Sequence, residues 1–447
     1  MDLLLQNGHV IDPGRLDGPM DILIRKGRIQ AMIPLGQDAA MERDPGDTQD
    51  KCQHVDLKGK IIAPGFIDMH VHFREPGHEH KETIQTGSMA ATHGGFTGVC
   101  TMPNTRPVND SIDVTALIKK KAQEAGCAKI YPCAAVSYAS DGHRLTDFAE
   151  LKKAGVVALS DDGMPVKSSL LMRKALEKAK IADLPIISHA EDLELAAGGA
   201  MNEGRIASEL NIPGIPNAAE TIMVMRDIAL AELTGARLHI AHVSTQESVA
   251  AIRAAKDRGA HVTAETAPHY FMLTHEAVTT CGTHAKMNPP LRSEADRLAI
   301  IEGLKDGTID AIATDHAPHH AEEKNMPFEQ AANGIIGLET SVSLGLALVS
   351  HGELNLADLI RLMATNPSKI LGIPTGFCPG AAADITVLDL SRQITVQADT
   401  FQSKSRNTPF DGWELTGGPI LTIVDGKIVY QASSVIQSTE RKQPCRT

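Results

Sequence analysis

The stretch IIAPGFIDMHVHFREPG, residues 61–77, ends an apolar β-type segment with two histidines, His70 and His72. Side chains two apart on a strand point to the same side, so both imidazoles can reach one metal ion. An isolated HxH pair also occurs in ordinary strand-to-loop turns, and two ligands are weak evidence alone. Its weight comes from the rest of the chain, where later strands also end in His or Asp.

Outward from this segment the chain alternates strand and helix. Eight strands are expected: 65–72, 96–103, 129–137, 156–163, 185–191, 237–244, 261–269 and 310–318. Stretches of helical periodicity separate most of them, among them 114–126, 169–180 and 245–259. Eight such units predict a (β/α)8 TIM-like barrel over 63–372. A doubly wound open sheet would want a Gly-rich phosphate turn after its first strand, and the sequence has none. The two ends read differently, as short strands broken by NG, KG and DG turns at 2–11, 21–32, 51–62, 383–390 and 419–431. Such strands cannot bury their apolar faces alone. A small β-sandwich domain built from both termini, 1–62 with 373–447, is the expected solution.

Composition narrows the class. The 447 residues are 42% hydrophobic and 22% charged with a net charge of −12, and no Lys/Arg cluster tracks a phosphate backbone, which argues against nucleic acid as a partner. The apolar run at the N-terminus is too short for a signal peptide, and no stretch reaches membrane-span length. The seven cysteines (52, 100, 127, 133, 281, 378 and 445) are scattered without CxxC spacing, as expected of reduced thiols in a cytoplasmic protein. Any zinc must therefore be held by His and carboxylate.

A barrel carries its chemistry at the C-terminal ends of its strands. There stand His70 and His72, Asn104, the pair Asp161 and Asp162, His189, His242 and Asp315. Imidazole and carboxylate form the donor set of zinc or a similar divalent ion. Alternation does not decide which of Asp161 and Asp162 faces the mouth. Asp315 leaves a buried strand in ATDHAPH (313–319), where an unpaired carboxylate is costly unless it binds metal or accepts hydrogen bonds. His316, His319 and His269 are further candidates. Arg74 is a natural fork for a substrate carboxylate. Asn288 is placed to hydrogen-bond an amide ring, while Arg292 reads as structural.

Taken together, the motifs resemble the amidohydrolase superfamily and, within it, the bacterial class I dihydroorotases. The likeness runs through PGFIDMHVHFREPG (64–77), TMPNTRP (101–107), SDDG (160–163), SHAED (188–192), IAHVST (240–245), TAETAPHY (263–270), KMNPPLRS (286–293) and IDAIATDHAPH (309–319). The resemblance implies zinc-dependent interconversion of (S)-dihydroorotate and N-carbamoyl-L-aspartate in pyrimidine biosynthesis, with a metal-activated hydroxide as nucleophile and Asp315 as general base and acid. It implies His70, His72 and Asp315 on one Zn2+, His189 and His242 on a second, and Asp162 bridging them. Arg74, Asn104, Asn288, His319, Asn333 and Gly334 would bind substrate. Related hydantoinases and allantoinases bridge their metals with a carbamylated lysine, but this chain has no lysine between Lys153 and Lys167. One departure stands out: close relatives read PFG where this chain has Ala332-Asn333-Gly334. The resemblance further implies a homodimer and allows a complex with aspartate carbamoyltransferase. A hydantoinase or allantoinase, or a non-catalytic scaffold subunit, are the rival readings.

Overall fold

The computed structural model describes residues 2–36, 52–433 and 437–438; Lys51 and Cys445 lie outside them. All eight expected barrel strands are present: Phe66–Val71, Phe96–Thr101, Lys129–Ala134, Ala158–Leu159, Ile186–Ser188, Leu238–Ile240, Val262–Thr266 and Ala311–Ile312. They are parallel and pair in chain order, each beside the next. The ring closes where Val71 bridges His316 and the His72 amide donates to the His316 carbonyl at 2.8 Å. At this seam the Asp68 carboxylate also accepts from the Thr314 amide at 3.1 Å.

Local sequence sets the helix ends. Thr83 and Ser293 open Ile84–His93 and Glu294–Asp306 with capping boxes, and Ser111, Asp147, Ser168 and Thr245 cap four others through their side chains. The expected helices at 114–126, 169–180 and 245–259 appear as Ile112–Ala125, Ser169–Ala182 and Gln246–Asp257. Their apolar faces pack on the outside of the barrel in the largest core. A smaller cluster joins Ile67, Met69, Cys100, Cys133, Ala158, Ile187, Ala241 and Ala311. Side chains from strands all around a ring meet inside it, so this cluster fills the barrel below the mouth.

Both termini build the small domain, as the turn-rich strands imply. Hydrogen bonds link its strands into one nine-stranded mixed sheet, in which Ile61–Pro64 lies between Asp2–Asp12 and Ile385–Thr395. Leu5, Val10, Ile22, Ile62, Ile385 and Leu421 form its separate core. Between Ile385–Thr395 and Glu414–Val424 the chain returns to the barrel mouth. There the Gln402 and Ser403 amides bond Glu339, the Lys404 amide bonds Glu82, and Asn407 reaches the loop after the eighth strand. Among the described residues no helix is long and apolar enough to cross a membrane.

Candidate metal centre and active site

The first strand delivers His70 and His72 to the mouth, both buried. Nδ1 of His70 lies 2.9 Å from Glu265 Oε1, and Nδ1 of His72 lies 2.8 Å from Asn104 Oδ1. An ionised carboxylate and an amide oxygen only accept, so each ring donates from Nδ1 and turns the Nε2 lone pair inward. The two Nε2 atoms come to 3.3 Å and 3.5 Å from Asp162 Oδ1 and Oδ2. Asp315 Oδ1 stands 3.0 Å from Nε2 of His72 and 3.6 Å from that of His70.

The fifth and sixth strands bring in the other pair. His189 presents Nδ1, 3.4 Å from Asp162 Oδ1 and 2.9 Å from His242 Nε2, which is itself 3.6 Å from Asp162 Oδ1. Behind it, His189 Nε2 is 3.0 Å from Glu191 Oε2. Six residues from five strand ends thus surround one small volume. Asp161 is turned away: it accepts from the amide and hydroxyl of Ser137. The second Asp of the pair faces the histidines.

These residues fit a metal. His70, His72 and Asp162 form one group, and Asp162, His189 and His242 another, each with ligand atoms within 4.8 Å of one another. His70 Nε2 and Asp162 Oδ1 are buried without a hydrogen-bond partner. Leaving such atoms dry and unpaired is costly, and a divalent cation satisfies both. Electrostatics agree. Burial works against charged His70, yet Asp162, Glu265 and Asp315 hold its pKa well above the usual value. Burial likewise opposes charge on His189, but Asp162 and Glu191 bring it up to about 10. Against their own burial, Asp162 and Asp315 are held ionised by the surrounding imidazoles, well below the usual carboxylate range. The pocket is built to hold positive charge.

Strained backbone occurs here too. Arg74, His242 and Asp315 adopt left-handed backbone with φ of 61°, 35° and 48°, a conformation that costs a non-glycine residue of order 1 kcal/mol or more and clusters at functional sites. Arg74 hangs over the mouth, donating from Nε to the Pro318 carbonyl at 3.1 Å. Its neighbour Glu75 is occupied elsewhere, by the Ile84 amide and Lys121, and does not tie it down. Burial lowers the Arg74 pKa to about 10, with Asp315 and Asp162 opposing. His319 lies against it, Nη2 to Nε2 at 3.3 Å, and touches the Asn333 carbonyl at 2.8 Å through Nε2. A carbonyl at that distance requires Nε2–H, so the Arg74 contact is a close approach of two donors. Asn333 is exposed and Gly334 buried. Gly334 has φ of 120°, and a Cβ there would sit 2.5 Å from the Ala317 Cβ, so the position needs glycine. Asn288 points Nδ2 at both Glu191 oxygens, 3.1 Å each, and leaves Oδ1 buried without a partner.

The sequence singled out neither Glu265 nor Glu191, although both lie in quoted motifs. Glu265 joins His70 to His239 Nε2 at 3.2 Å, and Glu191 joins His189 to Asn288. The available signal was an acidic residue inside a buried strand. His316 sits behind the mouth, with Nε2 3.3 Å from Glu82 and Nδ1 accepting from the Gly337 amide. His269 is buried beside the cluster with Nε2 unpartnered, and burial pushes its pKa down to about 4. Arg292 is structural, buried against Ser244, Asn202 and the Ile215 carbonyl.

Comparison with known proteins gives a consistent picture. A family model described as Dihydro-orotase-like matches residues 59–248. A protein of Desulforapulum autotrophicum named dihydroorotase is 54% identical over 96% of this chain and 99% of its own length. One of Syntrophus aciditrophicus with the same name is 54% identical over 96% and 100%. One of Geobacter metallireducens is 52% identical over 96% and 100%. Among solved structures, the L-hydantoinase (dihydropyrimidinase) of Arthrobacter aurescens superposes with a TM-score of 0.84 at 27% identity, covering 97% of each chain. The dihydropyrimidinase of Brevibacillus agri shares the fold, with a TM-score of 0.81 at 23% identity over 98% of this chain and 96% of its own.

Proposed function

The chain belongs to the dihydroorotase-like family of cyclic amide hydrolases, and on that footing we propose how its barrel mouth interconverts (S)-dihydroorotate and N-carbamoyl-L-aspartate in pyrimidine biosynthesis. His70, His72 and Asp315 would hold one zinc ion, His189 and His242 a second, with Asp162 shared between them. Bound there, a divalent ion polarises the ring amide carbonyl and lowers the pKa of water to about 7 in favourable sites.

The remaining work falls to side chains. In the hydrolytic direction Asp315 takes the proton of the attacking water and delivers it to the departing ring nitrogen. Its carboxylate is held ionised by the surrounding imidazoles and stands at the strand end, 3.0 Å from His72 Nε2. Arg74, with Asn104 and His319, clamps the substrate carboxylate and fixes the ring over the metal-binding cluster. The unpartnered Oδ1 of Asn288 accepts from a ring N–H, and Asn333 and Gly334 line the same edge. The observation that carries this reading is the meeting of two histidine pairs at Asp162 with Arg74 beside them.

A hydantoinase reading draws on the structural neighbours. Against it stand the carboxylate of Asp162 where a carbamylated lysine would bridge, and the cation of Arg74 at the mouth. A scaffold subunit without activity would be expected to have lost ligands, and all six are retained. We assign the protein to the cytoplasm, as a homodimer able to dock on aspartate carbamoyltransferase. Metal analysis coupled to assays with dihydroorotate, hydantoin and allantoin tests the assignment. Bound zinc and turnover of dihydroorotate are expected; turnover confined to hydantoin or allantoin would overturn it.

A further inference from the structure

Two lysines are buried beneath the loop that follows the eighth strand. Lys324 is 2% exposed and Lys286 5% exposed, and neither forms an ion pair among the described residues. Burial brings the Lys324 pKa down to about 7, with Lys286 adding to the shift, and an amine buried without a carboxylate persists where hydrogen bonds replace its water. Here they do. Lys324 Nζ donates to the carbonyls of Ala332 at 2.8 Å, Gly334 at 3.1 Å and Lys286 at 3.2 Å, three acceptors for three protons. Lys286 Nζ takes the carbonyls of Ala331 at 2.8 Å and Glu329 at 3.0 Å. Four carbonyls of one short loop therefore converge on two buried amines.

The geometry has a consequence for the residue between. With the carbonyls of Ala332 and Gly334 drawn to Lys324, the Asn333 carbonyl is left to meet His319 Nε2 at 2.8 Å. His319 in turn lies against Arg74. Asn407, from the small domain's returning segment, supports the same loop through the Gly334 carbonyl at 3.0 Å and the His319 amide at 3.2 Å.

We propose that Lys324 is a positioning residue for the carboxylate-binding side of the mouth: a buried amine whose hydrogen bonds lock Ala332–Gly334 so that Asn333 holds His319 beside Arg74. This rests on the reading of Arg74, His319 and Asn333 as substrate residues. Lys324 touches neither substrate nor metal ligands, so its loss changes substrate binding and spares the metal cluster.

The test is K324M in the full chain with its metal bound. The expected result is a KM for dihydroorotate raised about tenfold or more with kcat within about threefold of wild type. Metal content and inhibition by acetohydroxamate, a metal-directed ligand without a carboxylate, stay within about twofold. K286M shifts KM in the same direction by less. A KM unchanged within about twofold, or metal content and kcat falling together with binding, would overturn the proposal. If K324M does not fold, K324Q is held to the same criterion, and a KM unchanged within about twofold in K286M overturns the proposal. Wild-type protein that does not turn over dihydroorotate would fail the functional reading itself; active wild type with an unmoved KM in the variant fails only this inference.

Discussion

His70 and His72 leave one strand two residues apart, whereas His189 and His242 come from two strands and meet each other at 2.9 Å. Their supports differ as well. Each ring of the first pair is held at Nδ1 by a residue from a distant part of the chain, Glu265 or Asn104. This half also carries the second carboxylate, Asp315. In the other half, His189 is held by Glu191, only two residues away, and Glu191 spends both oxygens on Asn288 too. On the proposed reading, the first half would be a mount for metal and proton transfer. The second would couple a candidate metal ligand to Asn288, a candidate substrate residue, through the single carboxylate of Glu191.

The largest effect should come from the group that only the first half possesses. Asp315→Asn keeps the fold by circular dichroism and lowers kcat by about 10² to 10⁴, the usual worth of a positioned acid–base group. Near-normal turnover would remove Asp315 from its role. Next, His189→Ala should cost about one metal ion per chain and leave the first half loaded, read by metal analysis. Loss of all metal would show that the halves do not stand separately. The supports themselves should then diverge. Glu265→Gln and Glu191→Gln each weaken metal affinity by about 10- to 100-fold, but only Glu191→Gln also raises KM, because Asn288 loses its anchor. Equal KM values in the two variants would break the comparison.

The smallest effect lies behind the first half, where Glu339 holds the returning segment through the Gln402 and Ser403 amides. Burial raises its pKa to about 7 from an ordinary 4.5. The folded protein then binds a proton that the unfolded chain has released between pH 4.5 and 7. That contribution to stability is present at low pH and is lost as pH rises through 7. Glu339→Gln should flatten this part of the Tm–pH curve, and an unchanged slope would count against it.

Much of this was legible in the sequence. The barrel strands are buried apolar runs, each ending in a polar residue, and the ring order follows chain order, so their spacing suffices. The convergence of the four candidate histidines and Asp315 is legible because they stand at those ends. What resists reading is whatever depends on tertiary pairing. Asp161 and Asp162 are adjacent just past a two-residue strand, and tertiary partners such as Ser137 for Asp161 and His70 for Asp162 distinguish them. Glu265 supports His70 across 195 positions of sequence. Lys324 looks like any lysine in AEEK until the loop closes over it. The segment at 402–407 has no periodicity to show that it leaves the small domain for the barrel mouth.

The pairing of Ile62 with Val387 sets a timetable for biosynthesis. The hairpin of Asp2–Asp12 with Leu16–Arg25 can form as soon as it is made, and Ile61–Pro64 can pair with Asp2–Asp12 soon after, but the other edge of Ile61–Pro64 must wait for a partner roughly 300 residues downstream, about 15–60 s at ordinary translation rates. Throughout that interval Ile62, wholly covered in the finished protein, presents an open strand edge to every other nascent chain. A chain that ends before residue 385 lacks the strand that pairs with this edge.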